Sequence, residues 1–224
     1  LRSLGSLFVA PLWLFYRTQA VRRSTPAGRL DALPQLRGLR VNVGTEGSGV
    51  PILMDKLLDA NHMQASDLRL SRLEQTPATV AFLDGKIDVL VFASAPESPL
   101  MQMLLQTPGV RLMDFPQNEA YGRRFPFLTP VTLPRGVVDL AGNVPANDVR
   151  LVASTTSLLT RADTHPALLQ LFAQHAQTLH SGAGWFNRAR EFPSTRHSEL
   201  EIAPEADRAI NEPVPLLQRY PPFW

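Results

Sequence analysis

A chain of 224 residues can bury roughly 70% of the surface it exposes when unfolded, enough for one large domain or two small lobes. Its 44% apolar and 19% charged residues exclude wholesale disorder. The 22 Lys+Arg against 20 Asp+Glu leave a net charge of +2, which excludes a strongly basic nucleic-acid binder; the absence of cysteine excludes thiol catalysis, disulfides, zinc ribbons and iron–sulfur clusters.

The uncharged stretch 3–16 (SLGSLFVAPLWLFY) comes first. Its 14 residues include Pro11 and fall short of the ~20 that span a bilayer, so it reads as a buried strand, with LWLFY at 12–16 as the strand proper. Residues 18–38 are Arg-rich, hold Pro26, Gly28 and Pro34, and read as a connection. Alternation at 40–44 predicts a short strand. A Gly-rich turn, Thr45-Glu46-Gly47-Ser48-Gly49, leads into a helix through Ala60, with Val50, Leu53, Leu57 and Leu58 at helical spacing. Leu68 and Leu70 mark a second strand. Thr76-Pro77 starts a helix that Asp84-Gly85 ends. The apolar run 87–93 predicts a strand covered on both faces. Ser98-Pro99 opens a further helix, and 110–113 a further strand. Strands and helices thus alternate over 39–114, the pattern of a parallel sheet with helices on both faces.

Beyond this the texture changes. Residues 115–134 are rich in Pro, aromatics and Arg. A strand is expected at 149–154. The longest helix follows, capped by Asp163 or Thr164, with Leu168, Leu169, Phe172, Ala176 and Leu179 on one face. A short helix is expected over 205–211.

No catalytic constellation emerges. Gly44 to Gly49 reads GxxGxG, not the dinucleotide order, and no P-loop lysine follows. The histidines are His62, His165, His175, His180 and His197, with no HExxH; His175 and His180 lie about 140° apart around a helix, so no metal or cofactor is expected. The sharpest feature is the turn at 44–49. The first N–H groups of a helix lack partners and carry partial positive charge, and glycines let a ligand come close to them. Placed at the carboxyl end of a parallel strand, such a turn suits a carboxylate or phosphate, and it serves equally as a tight turn with Ser48 as cap. The segment Asp84 to Asp88 reads as helix stop, turn and strand start. Trp13, Phe15 and Tyr16 fit core packing better than an aromatic wall.

The segment LRGLRVNVGTEGSGVPILMDKLLDANHM resembles the signature of the TAXI family, the solute-binding proteins of TRAP (tripartite ATP-independent periplasmic) transporters. PLWLFYR is similar to that family's crossover strand, and DGKIDVLVFASAPESP to a segment following the signature. HPALLQLFAQHAQ and LLQRYPPFW resemble a branch whose chains continue into membrane helices. The family has Glu where Ala10 stands and Thr where Val50 stands. The resemblance implies an α/β, type II periplasmic-binding-protein-like fold of two lobes, with parallel or mixed sheets flanked by helices and the first lobe incomplete. Residues 1–16 would be the crossover strand, 17–115 the second lobe, and 116–224 the return to the first lobe with a tail.

It further implies a periplasmic receptor, not an enzyme. Such a receptor captures a small anionic solute, such as a carboxylate, by hinge closure and delivers it to TRAP membrane subunits; a membrane anchor would lie beyond residue 224. Thr45, Gly47, Ser48 and Gly49 would hold the carboxylate, with Ser94 and Trp13 at the cleft wall. The competing readings are a cytoplasmic effector-sensing domain of a transcription regulator and an enzyme on the same fold. The strand at 149–154 is expected to lack neighbours and to leave apolar surface exposed.

Overall fold

Strand β1 (Arg2–Arg17) is longer than the LWLFY run that marks it: its first half mixes Ser3, Gly5 and Ser6, all buried, with the buried Leu4 and Val9. The computed structural model of the chain describes residues 1–22, 25, 28–196, 198 and 200–212. Pro26, His197 and the terminal PPFW lie outside the described residues. Two compact units are formed, one of Leu1–Val9 and Thr155–Trp224, the other of Ala10–Ser154.

In the larger unit, β1 leads through α1 (Thr18–Val21) to β2 (Arg40–Asn42), α2 (Gly49–Ala60) and β3 (Arg69–Ser71). Then come α3 (Gln75–Leu83), β4 (Val89–Ala93), α4 (Pro99–Gln106) and β5 (Val110–Leu112). The unit closes with α5 (Asn118–Arg124), β6 (Leu128–Leu133) and the first half of β7 (Val149–Thr160). The sheet runs β3-β2-β4-β1-β7-β6, and β5 also pairs with β1. β2 is parallel to both β3 and β4, while β1 is antiparallel to β4 and to β5. The fold is therefore a mixed α/β one, an open sheet flanked by helices. The strand at 110–112 does not extend the parallel set, as its place in the alternation suggested. It crosses over to line the far side of β1, with Tyr16 opposite Arg111.

The central strands are the core. Trp13, Leu14, Phe15, Val89, Leu90 and Val91 are fully buried. Each large apolar side chain hidden this way contributes roughly 1.5–3 kcal/mol. The strand at 149–154 has neighbours, contrary to expectation: β6 pairs with it antiparallel from Leu128 opposite Ser154 to Leu133 opposite Val149, and Leu151, Val152 and Ala153 are fully buried.

Asp88, at the start of β4, ties three strands together. Its carboxylate accepts from the Arg40 backbone N–H at 3.0 Å, from Arg40 Nε at 2.9 Å and Nη2 at 2.6 Å, and from Arg17 Nη2 at 3.4 Å. Burial opposes its ionisation. The hydrogen bonds and charge of Arg40, with a hydrogen bond from Arg17, outweigh burial and hold the carboxyl below its usual value. The segment 84–88 is thus structural, as its pattern implied.

In the smaller unit, α6 (Pro166–His180) and α7 (Pro204–Asn211) pack on each other, with Leu4, Leu169, Ala173, Ala203 and Ala206 as the core. Ser3 and Ser6 of β1 bridge to Ile202 and Ser194. A side chain at Gly5, whose φ is 113°, would meet Ile210 at 2.9 Å. The cap of α6 is His165, whose Nδ1 accepts from the Ala167 N–H at 3.2 Å, in place of the expected Asp163 or Thr164. Its buried face also differs: Leu169, Ala173 and Ala176 point inward, while Leu168, Leu171, Phe172 and Leu179 are exposed. Among the described residues, no helix is long and apolar enough to cross a membrane.

Candidate functional site

The Gly-rich turn joins β2 to α2. Gly44 and Gly47 take φ of 80° and 84°, a region that side chains strain to adopt. The Ser48 N–H and its Oγ both donate to the Thr45 carbonyl, at 3.2 and 2.8 Å, and close the turn. Ser48 stands at the cap of α2, yet its hydroxyl accepts nothing from the helix. The hydroxyl is turned instead to the Thr45 carbonyl, and the third helical residue, Pro51, has no N–H to give.

The N–H groups of Gly47, Gly49 and Val50 consequently have no partner among the described residues. Gly47 and Gly49 are exposed, and a side chain built on either would meet no atom within 4 Å. Gly47 and Gly49 thus present exposed backbone at the positive end of a 12-residue helix.

The pairing registers show what else lies on this edge. Asn42 is level with Ser71 of β3 and with Leu90 of β4, so the carboxyl ends of β2 and β3 lie side by side, while β4 runs on three residues further to Ala93. α2, α3 and α4 start just beyond them. Ser94, half-buried, follows β4, and Trp13 is opposite Phe92. The expected residues thus share one edge of the sheet, but not one role. Trp13, expected at a cleft wall, is fully buried, since its ring packs parallel to Phe15 at 6.1 Å. Its indole N–H donates to the Ser94 carbonyl at 3.1 Å and so holds the loop that carries Ser94.

Two residues of this edge were not singled out in the sequence. Asn42 is fully buried; its Oδ1 accepts from the Leu73 N–H at 2.8 Å and from Ser71 Oγ at 3.1 Å, and its Nδ2 donates to the Leu73 carbonyl at 3.2 Å. It locks the end of β3 beside the turn. Arg72 pairs with Glu46 at 3.6 Å, which offsets the one acidic side chain of the turn. Parallel pairing of the two strands was the missing signal: both residues sit at strand ends. Asn42→Leu leaves both Leu73 backbone groups without partners and should cost about 2 kcal/mol. Urea denaturation, with faster amide exchange at Leu73, checks this.

In open α/β sheets generally, ligands bind outside the carboxyl ends of the strands. The chain belongs to the NMT1-like family, whose model matches residues 9–173. No curated protein sequence matches it. Among solved structures it is similar to the periplasmic aliphatic sulphonate binding protein SsuA from Escherichia coli, at 15% identity and a TM-score of 0.48, covering 80% of this chain and 48% of that one. The alkanesulfonate-binding protein SsuA from Xanthomonas axonopodis pv. citri, bound to MOPS, matches at 16% identity and 0.45, covering 80% and 49%. The CcmR regulatory domain of Synechocystis PCC6803, in complex with 2-PG, matches at 12% and 0.41, covering 79% and 66%. The chain spans about half the length of the two SsuA proteins.

Proposed function

We propose that the chain is the anion-holding part of a periplasmic solute receptor, which captures a small carboxylate at the 44–49 turn and passes it to the membrane subunits of a TRAP-type transporter. Residues 17–115 are, in this reading, the lobe that carries the turn, and 116–224 the return. The observation that carries it is the set of N–H groups at Gly47, Gly49 and Val50 that have no partner among the described residues. They suit a carboxylate, whose two oxygens can each accept from the backbone. Thr45 and Ser48 add hydroxyls beside them, and Ser94 lies at the same edge. The TRAP assignment rests on the resemblance of the GTEGSG region to the TAXI signature. No chemistry is performed on the ligand.

Calorimetry with a panel of small mono- and dicarboxylates tests this. One member should bind, and Ser48→Pro should weaken it by about tenfold or more, because the turn loses both hydrogen bonds to Thr45. The φ of −77° at Ser48 accepts proline, so the fold should persist. A flat titration across the whole panel would sink the reading.

A further inference from the structure

A second feature of the larger unit is not used by the turn. A groove of about 970 Å³ is lined by Tyr16, Arg29, Arg111, Asp114, Asp148 and Arg150, among others, and by no residue of 44–49. Three arginines face two aspartates there. Asp114 is already committed: its carboxylate accepts from the Arg150 backbone N–H at 2.7 Å and from that residue's guanidinium, and Arg29 stands 3.7 Å away. Asp148 accepts from the Arg135 N–H at 2.7 Å. Arg111 is different. It is exposed, and its guanidinium has no hydrogen-bond or ion-pair partner among the described residues.

Tyr16 makes the groove more than a basic patch. The register sets it directly opposite Arg111 across an antiparallel pair. Opposed residues share a face of the sheet, with Cβ atoms about 5 Å apart. Tyr16 is 1% exposed and lines the groove, yet its hydroxyl has no partner among the described residues. The hydroxyl is open to the water of the groove, which a ligand oxygen would displace.

We propose that this groove binds a small molecule bearing an oxyanion, a carboxylate or a phosphate, with the anion held by Arg111 and Arg29 and a neighbouring oxygen hydrogen-bonded to the Tyr16 hydroxyl. The guanidinium fork matches either group bidentately. The site is separate from the turn and stands whether or not the turn binds a solute.

The test uses the whole chain with tyrosine labelled at Cζ for carbon NMR, at low salt, titrated separately with inorganic phosphate and with succinate. Tyr16→Phe identifies the Tyr16 signal. That signal should shift with at least one probe below about 10 mM, and the probe that acts tells phosphate from carboxylate. Arg111→Gln should raise the midpoint about tenfold. Gly47→Val, which alters only the turn, should leave it unchanged. Neither variant in the groove removes a hydrogen bond or ion pair found among the described residues, and Tyr16→Phe keeps the buried ring. No shift with either probe, a shift untouched by Arg111→Gln, or a shift abolished by Gly47→Val would each overturn the proposal.

Discussion

Trp13→Ala lowers the stability by about 3–5 kcal/mol, the largest effect expected of any single change in the chain. The ring is fully buried and stacked on Phe15, so its removal leaves a cavity among β-strand residues with little freedom to collapse. The Ser94 carbonyl also loses the indole donor. Trp13→Phe separates the two terms. It keeps most of the packing, drops the hydrogen bond and should cost about 1 kcal/mol beyond its lost volume. Urea denaturation of the three proteins, compared at constant m-value, measures both. A loss below about 1 kcal/mol for Trp13→Ala would place the ring outside the core.

Asp88→Ala should cost about 2–3 kcal/mol. The Arg40 N–H is left without its acceptor, while the two guanidinium groups, whose side chains are 41% and 24% exposed, turn to water and soften the loss. The pH dependence carries the sharper signature. The folded-state value of Asp88 lies below its unfolded one, so its contribution is complete above pH about 4 and is lost as pH falls through the depressed folded value. Asp114 behaves likewise: burial opposes its ionisation and is outweighed by the hydrogen bonds and charge of Arg150, with Arg29 nearby. Wild-type stability should therefore fall with acid below pH about 4, and Asp88→Ala should flatten that fall. An unchanged acid limb in the variant would show that the cluster does not set it.

The parts legible in the sequence are those whose signal is local. The strand–turn–helix over 40–60 appears where its glycines and apolar spacing placed it, and Ser98 caps α4 through the Met101 N–H. The turn of the candidate site belongs to this group, because a glycine-rich bend between strand and helix depends on neighbours in the chain alone. What was hidden depended on distant partners. The stretch 3–16 reads as a buried strand, but the partners of its first half do not show in it: Ser3 and Ser6 exchange backbone hydrogen bonds with residues 194–203. β6 was concealed by Pro130 at its middle. Proline is tolerated there because β6 ends the sheet order, where a missing N–H need cost no ladder bond. α6 carries apolar residues around most of its circumference, so periodicity could not say which side faces inward. The role of Asn42 needed the parallel register of β2 and β3, which no spacing within either strand reveals.

The Asp88 cluster has a kinetic meaning as well. The residues it joins are 48 and 71 positions apart in the chain. Both of those long loops must close before Arg40 and Arg17 reach the carboxylate, so the bonds cannot guide the first encounters of the strands. They form once β1, β2 and β4 already lie together, and interactions that arrive last act mainly on the rate at which an assembled sheet comes apart. The cluster is in this sense a latch: it does little to speed the closing of the fold, and its work is to delay the opening.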